Sequence, residues 1–114
     1  MNIIPGVNMD DGLRRFGNHS ALYIRFLKRF PQDPSFPALM DALRDGRMRD
    51  AFLLAHTFKG LTAQLGITSL HAPASVLCDL LRSEDAAQLP AAQAQLNAMT
   101  PVYHEIIRLI NTLP

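Results

Sequence analysis

The stretch Met48-Arg49-Asp50-Ala51-Phe52-Leu53-Leu54-Ala55-His56-Thr57-Phe58-Lys59-Gly60-Leu61-Thr62-Ala63-Gln64-Leu65-Gly66 reads as one helix, running from about Met48 to Leu65 and stopped by glycine. With His56 as reference and about 100° per residue, Leu54, Phe58, Leu61 and Leu65 fall roughly 140 to 200° away, a compact apolar stripe on the far side. His56 is therefore expected to point away from the surface that this stripe packs against. Its neighbours on the outer face are Phe52 at i−4, Lys59 at i+3, Gly60 at i+4 and Ala63 at i+7. Glycine inside a helix costs about 0.5 to 1 kcal/mol relative to alanine, so its place one turn from an outward histidine suggests that space is needed there. Phe52, exposed on the same face by this projection, would add an apolar contact for docking, unless the N-terminal helices bury it.

Helical spacing recurs on both sides of this segment, and regular alternation of the β kind is hard to find, so the expected class is all-α. Toward the N-terminus, Asp10 or Asp11 can cap a short helix through Phe16, ended by Gly17-Asn18. Asn18 to Ser20 offers caps for a second helix with Leu22, Phe26, Leu27 and Phe30 on its apolar face, stopped by Pro31. Asp33-Pro34-Ser35 is a turn and a start signal for a third, carrying Phe36, Leu39, Met40 and Leu43 and capped by Gly46. Toward the C-terminus, Thr68 and Ser69 can cap a helix striped by Leu70, Ala74, Leu77 and Leu81. Pro73 must lie in its first turn, which puts the start near His71. The last segment opens at Gln88-Leu89-Pro90 and has the cleanest stripe: Leu96, Met99, Tyr103, Ile106, Ile110 and Leu113. Pro101 predicts a kink after residue 97 or a break at Thr100. Four substantial helices joined by short turns make an up-down four-helix bundle, with short additional N-terminal helices at one end.

A chain of 114 residues suits one domain, 1–114, around one core. Hydrophobic residues at 48 % and charged ones at 18 %, with a net charge of +1, describe a globular protein with no bias toward nucleic acid. Nine Arg and two Lys are unevenly spread, and Arg14, Arg15, Arg25, Lys28, Arg29, Arg44, Arg47 and Arg49 precede His56, so a basic face attractive to an acidic protein surface is expected. The lone Cys78 sits among apolar residues and reads as an inert core position. No signal peptide or membrane-length apolar run is evident; the expectation is a cytoplasmic monomer without direct membrane contact, free-standing or part of a membrane-anchored receptor.

The residues around His56 also suit a specific chemistry. A free imidazole titrates near pH 6.5, so at neutral pH it is largely an uncharged nucleophile that can attack an activated phosphoryl donor such as an aspartyl phosphate. An ammonium at i+3 can offset the negative charge that arrives with the phosphoryl group. Ala55-His56-Thr57-Phe58-Lys59-Gly60-Leu61-Thr62-Ala63-Gln64-Leu65-Gly66 resembles the signature of the histidine-containing phosphotransfer (HPt) family, H-x-x-K-G-x-x-x-x-x-G. Ile4-Pro5-Gly6-Val7, Gly12 to Asn18 and Tyr23 to Phe30 are similar to the lead-in of HPt domains attached to hybrid sensor kinases.

The resemblance implies that His56 is the phosphoryl acceptor, Lys59 its electrostatic partner, and Gly60 the relief that admits a partner protein, while Gly66 only terminates the helix; Phe52 and Ala63 join this set by the helical projection alone. It further implies a phosphocarrier without kinase activity, cofactor or metal of its own, exchanging the phosphoryl group with receiver domains of a hybrid sensor kinase or response regulator that bring Mg2+. The chain departs from the family pattern at Leu61, where a small residue is common, and at Cys78, where an acidic residue is common. His19, His71 and His104 are given no role. Two rivals remain: a helical interaction module that binds a receiver or adaptor without phosphotransfer, and a metal-binding bundle. The second is poorly served by Glu84 and Glu105 alone and no Glu-x-x-His pair.

Overall fold

The computed structural model describes residues 3–114. Its helices are α1 (Met9–Arg15), α2 (Ser20–Arg29), α3 (Ser35–Arg44), α4 (Met48–Leu65), α5 (Thr68–Leu81) and α6 (Leu89–Ile110), with 3-10 turns at Phe30–Gln32 and Ala86–Gln88 and no strand among the described residues. α3 packs on α4, α4 on α5, α5 on α6, and α6 back on α3, which closes a four-helix bundle. α1 and α2 lie against α4. The fold class is the expected one.

The centre of the bundle is aromatic. Phe36 stacks on Tyr103 with ring centroids 4.0 Å apart, and Phe58 of α4 meets Phe36 at 5.1 Å and Phe30 at 5.9 Å. Offset and tilted contacts of this kind add to the burial of large apolar areas. Since Phe58 is driven into this cluster, the opposite side of α4 is held toward solvent. The buried face of α4 is Ala51, Ala55, Phe58, Thr62 and Leu65. It is rotated from the expected stripe, for Leu54 and Leu61 are only half-buried. Small Ala51 and Ala55 let neighbouring helices approach, a choice that ranking by hydrophobicity overlooks.

Several local expectations are corrected. Asn8, not an aspartate, caps α1: its side-chain oxygen accepts from Asp11 N–H at 3.0 Å. None of Asn18 to Ser20 caps α2 through a side chain; Asn18 instead takes a left-handed turn (φ 63°). On α2 the buried residues are Tyr23 and Leu27, while Phe26 is 41 % exposed and lies against Phe16 and Arg29. Met40, expected on the apolar face of α3, is also largely exposed.

α5 starts at Thr68, so Pro73 lies inside the helix rather than in its first turn. The start is set by tertiary bonds: Ser69 N–H and the Thr68 hydroxyl both donate to Gly6 C=O, at 3.0 and 3.2 Å. These satisfy helix-end donors that a local cap would otherwise serve. α6 continues unbroken through Pro101, and its buried residues Leu96, Met99, Tyr103, Ile106 and Ile110 follow the expected stripe. Cys78 is fully buried, and burial pushes its thiol pKa up, with the charges of Lys59 and Arg82 acting in the other direction.

Gly66 has a second task beside ending α4. It is left-handed, with φ 73°, and a Cβ there would collide with the carbonyl oxygen of Asn8. Asn8 N–H donates to Gly66 C=O at 2.7 Å, so the N-terminal segment lies directly on the turn. Close by, the Tyr23 hydroxyl donates to Leu65 C=O at 2.7 Å.

Candidate functional site

His56 sits near the middle of α4, exposed as the projection requires. The face around it is formed by the exposed Leu53, Thr57, Gly60 and Gln64 together with the half-buried Phe52, Lys59 and Ala63. The imidazole makes no hydrogen bond to another group among the described residues, so neither ring nitrogen is committed. Such an imidazole keeps a lone pair available to an external electrophile.

Lys59 is on the same side one turn later. Among the described residues it forms no ion pair, which leaves its charge available to an incoming anion. Its neighbour on α5 is Cys78, whose thiol feels the ammonium. At Gly60 a hypothetical Cβ meets nothing within 4 Å. The fold therefore gives no internal reason for glycine at this position, in contrast to Gly66.

Phe52 is half-buried rather than fully exposed. Its ring stacks near His56, centroids 6.2 Å apart and planes 26° from parallel, and the Arg82 guanidinium lies 5.7 Å from its centroid. Arg82 comes from the C-terminal end of α5 and also pairs with Asp79. Projection along α4 alone had no means of finding it, because the residue belongs to another helix. The aromatic surface available to a partner is thus the part of Phe52 beside the imidazole. Ala63 lies at the edge of the face, lining a small cavity of about 80 Å³ with Asp11, Arg15, Thr62, Gly66, Thr68 and His71.

The expected basic face is smaller than the count of arginines suggested. Arg14 and Arg15 pair with Asp11, Arg44 with Asp41 and Asp45, Arg47 with Asp50, and Arg49 with Glu84. The Arg15 hydrogen bond to Asp11 holds that carboxyl below its ordinary pKa. Lys28 donates to the backbone oxygen of Pro114. Exposed pairs of this kind contribute little to stability, but they cancel long-range charge. Among the described residues no group of three or more His, Cys, Asp or Glu side chains comes together in a way that could hold a metal ion, and no helix is long and apolar enough to cross a membrane.

A helical bundle that presents an uncommitted imidazole, with an ammonium and an unfilled helical position one turn away, defines a histidine-bearing module open to a protein partner. Comparison with protein families agrees: the model of the Hpt domain matches residues 25–111, and the chain belongs to the Hpt domain family. No curated protein and no solved structure matches the chain.

Proposed function

We propose that the chain is a phosphocarrier of a phosphorelay, in which His56 accepts a phosphoryl group from a receiver-domain aspartate and passes it to another receiver. The observation that carries this reading is the exposed imidazole with no internal partner, flanked by Lys59 and by open space at Gly60. In the forward step an imidazole nitrogen lone pair attacks phosphorus, the P–O bond to the aspartyl carboxylate breaks, and the carboxylate leaves with the bonding electrons. The proton on the other ring nitrogen stays in place. Lys59 offsets the charge of the equatorial oxygens, and the receiver supplies the Mg2+ and acidic pocket that such a transfer uses. Hydrolysis competes poorly if docking excludes water, and the bare backbone at Gly60 lets the partner come close enough to do so. Phe52 and Ala63 serve the same docking face.

The test is incubation with a phosphorylated receiver. Wild-type protein is expected to take up label as an acid-labile, base-stable phosphoramidate, and His56→Gln to take up none while keeping its melting temperature. Label retained in His56→Gln refutes the assignment. Receiver binding with no label in the wild type would identify a docking module without transfer.

A further inference from the structure

The carbonyl oxygen of Lys59 draws two side-chain donors. Thr62 Oγ1 lies 3.0 Å from it and His71 Nδ1 lies 3.2 Å from it. Thr62 Oγ1 is equally 3.0 Å from Phe58 C=O, and a hydroxyl has one hydrogen to share between the two carbonyls. The imidazole of His71 is therefore the donor that Lys59 C=O has to itself. A carbonyl oxygen only accepts, so this contact requires the hydrogen of His71 to be on Nδ1, the less common neutral tautomer in water.

This bond falls at the weak point of α4. Gly60 follows Lys59 directly and lowers helix propensity, and the Thr62 hydroxyl reaches back to the preceding turn, an arrangement that bends helices. His71 is itself held firmly, because α5 is tied at its start to Gly6 through Ser69 and Thr68. A fixed element thus grips the backbone that carries the Lys59 ammonium, one turn from the reactive imidazole.

We infer that His71 is a positioning residue for phosphotransfer, which through its Nδ1–H bond to Lys59 C=O holds the Lys59–Gly60 backbone where the ammonium meets the phosphoryl group on His56. This rests on the phosphocarrier reading. It makes no contact with the phosphoryl group necessary, and of the docking face it adjoins only Ala63 at the edge. Its loss should therefore lower the rate of transfer within the docked complex and not the affinity for the receiver.

Two measurements test it. In the wild-type protein, nitrogen-15 shifts of the His71 ring are expected to show the Nδ1–H tautomer; an Nε2–H ring overturns the inference. In rapid-quench transfer from a phosphorylated receiver, His71→Ala should lower the maximal rate about three- to ten-fold, the loss of one hydrogen bond, with the half-saturating receiver concentration unchanged. His71→Asn, whose amide N–H can replace Nδ1–H, should recover most of the rate. A wild-type rate in His71→Ala overturns the inference, as does an Asn variant no better than Ala. Should His71→Ala fail to fold, the ring shifts and the Asn variant still decide. A wild-type protein that takes no label sinks the phosphocarrier reading and this one together; a labelled wild type with an indifferent His71 sinks this one alone.

Discussion

Gly60 and Gly66 belong to the same signature and the same end of α4, yet the structure treats them in opposite ways. Around Gly60 there is open space, and the backbone is ordinary helix. Around Gly66 the backbone is left-handed and the Asn8 carbonyl occupies the place of a side chain. Gly66 is glycine because the fold demands it. Gly60 is glycine where the fold leaves room for a side chain, and the proposed docking of a receiver is what would use that room. The difference separates a glycine that the bundle requires from one that it does not.

The contrast is open to mutation. Gly66→Ala places a Cβ in a left-handed residue and against Asn8, and should destabilise by about 3 kcal/mol in chemical denaturation; a loss below ~1 kcal/mol would remove the structural half of the comparison. Tyr23→Phe deletes the hydroxyl that serves Leu65 C=O at the same helix end, and should cost about 1 to 2 kcal/mol.

The pH dependence at this end has a definite sign. Burial, helped by the charge of Asp11, pushes the Tyr23 hydroxyl up to about 12. An unfolded tyrosine ionises near pH 10, so the stability this residue contributes is complete below about pH 10 and is lost as the pH rises toward 12. Melting temperatures over that range should fall less steeply in Tyr23→Phe than in the wild type; parallel curves would contradict the buried hydroxyl.

At the outer position the expected signs differ. Gly60→Glu should leave folding intact and raise the half-saturating receiver concentration about ten-fold or more, equivalent to ~1.4 kcal/mol of docking energy. Unchanged transfer would mean that the open space is not used. Gly60→Ala, the mildest change, should stabilise the helix by about 0.5 to 1 kcal/mol. Together, a less stable Gly66→Ala and a more stable Gly60→Ala would confirm that the two glycines answer to different demands.

Much of this was legible along the chain, and the parts that were not share a cause. The outward direction of His56 follows from a helical period, which only needs the residues of one helix. The α6 stripe was legible for the same reason, although Pro101 suggested a kink or a break and the helix runs through it unbroken. The buried face of α4 was misplaced by roughly half a residue's rotation, since Ala51, Ala55 and Thr62 are core by virtue of what presses on them, not by their own hydrophobicity. Phe26 looked like core and is exposed, whereas Tyr23 went inside because Leu65 C=O offers its hydroxyl a partner.

The arginines were counted correctly but their ion pairs were not read, although most join residues three or four apart and follow from helical spacing alone; the pair of Arg49 with Glu84 needs the closed bundle. The start of α5 was read from Pro73, while the chain obeys Gly6, which is far away in sequence.

Residue order alone therefore settles the periodic facts: helices, their rough ends, the histidine on an outer face and the lysine and glycine one turn beyond it. Meetings between distant segments are another matter. Asn8 on Gly66, Arg82 over Phe52 and His71 on the Lys59 carbonyl exist only once the bundle has closed. Local period is carried by neighbouring residues, but contact between helices depends on how every one of them packs at once.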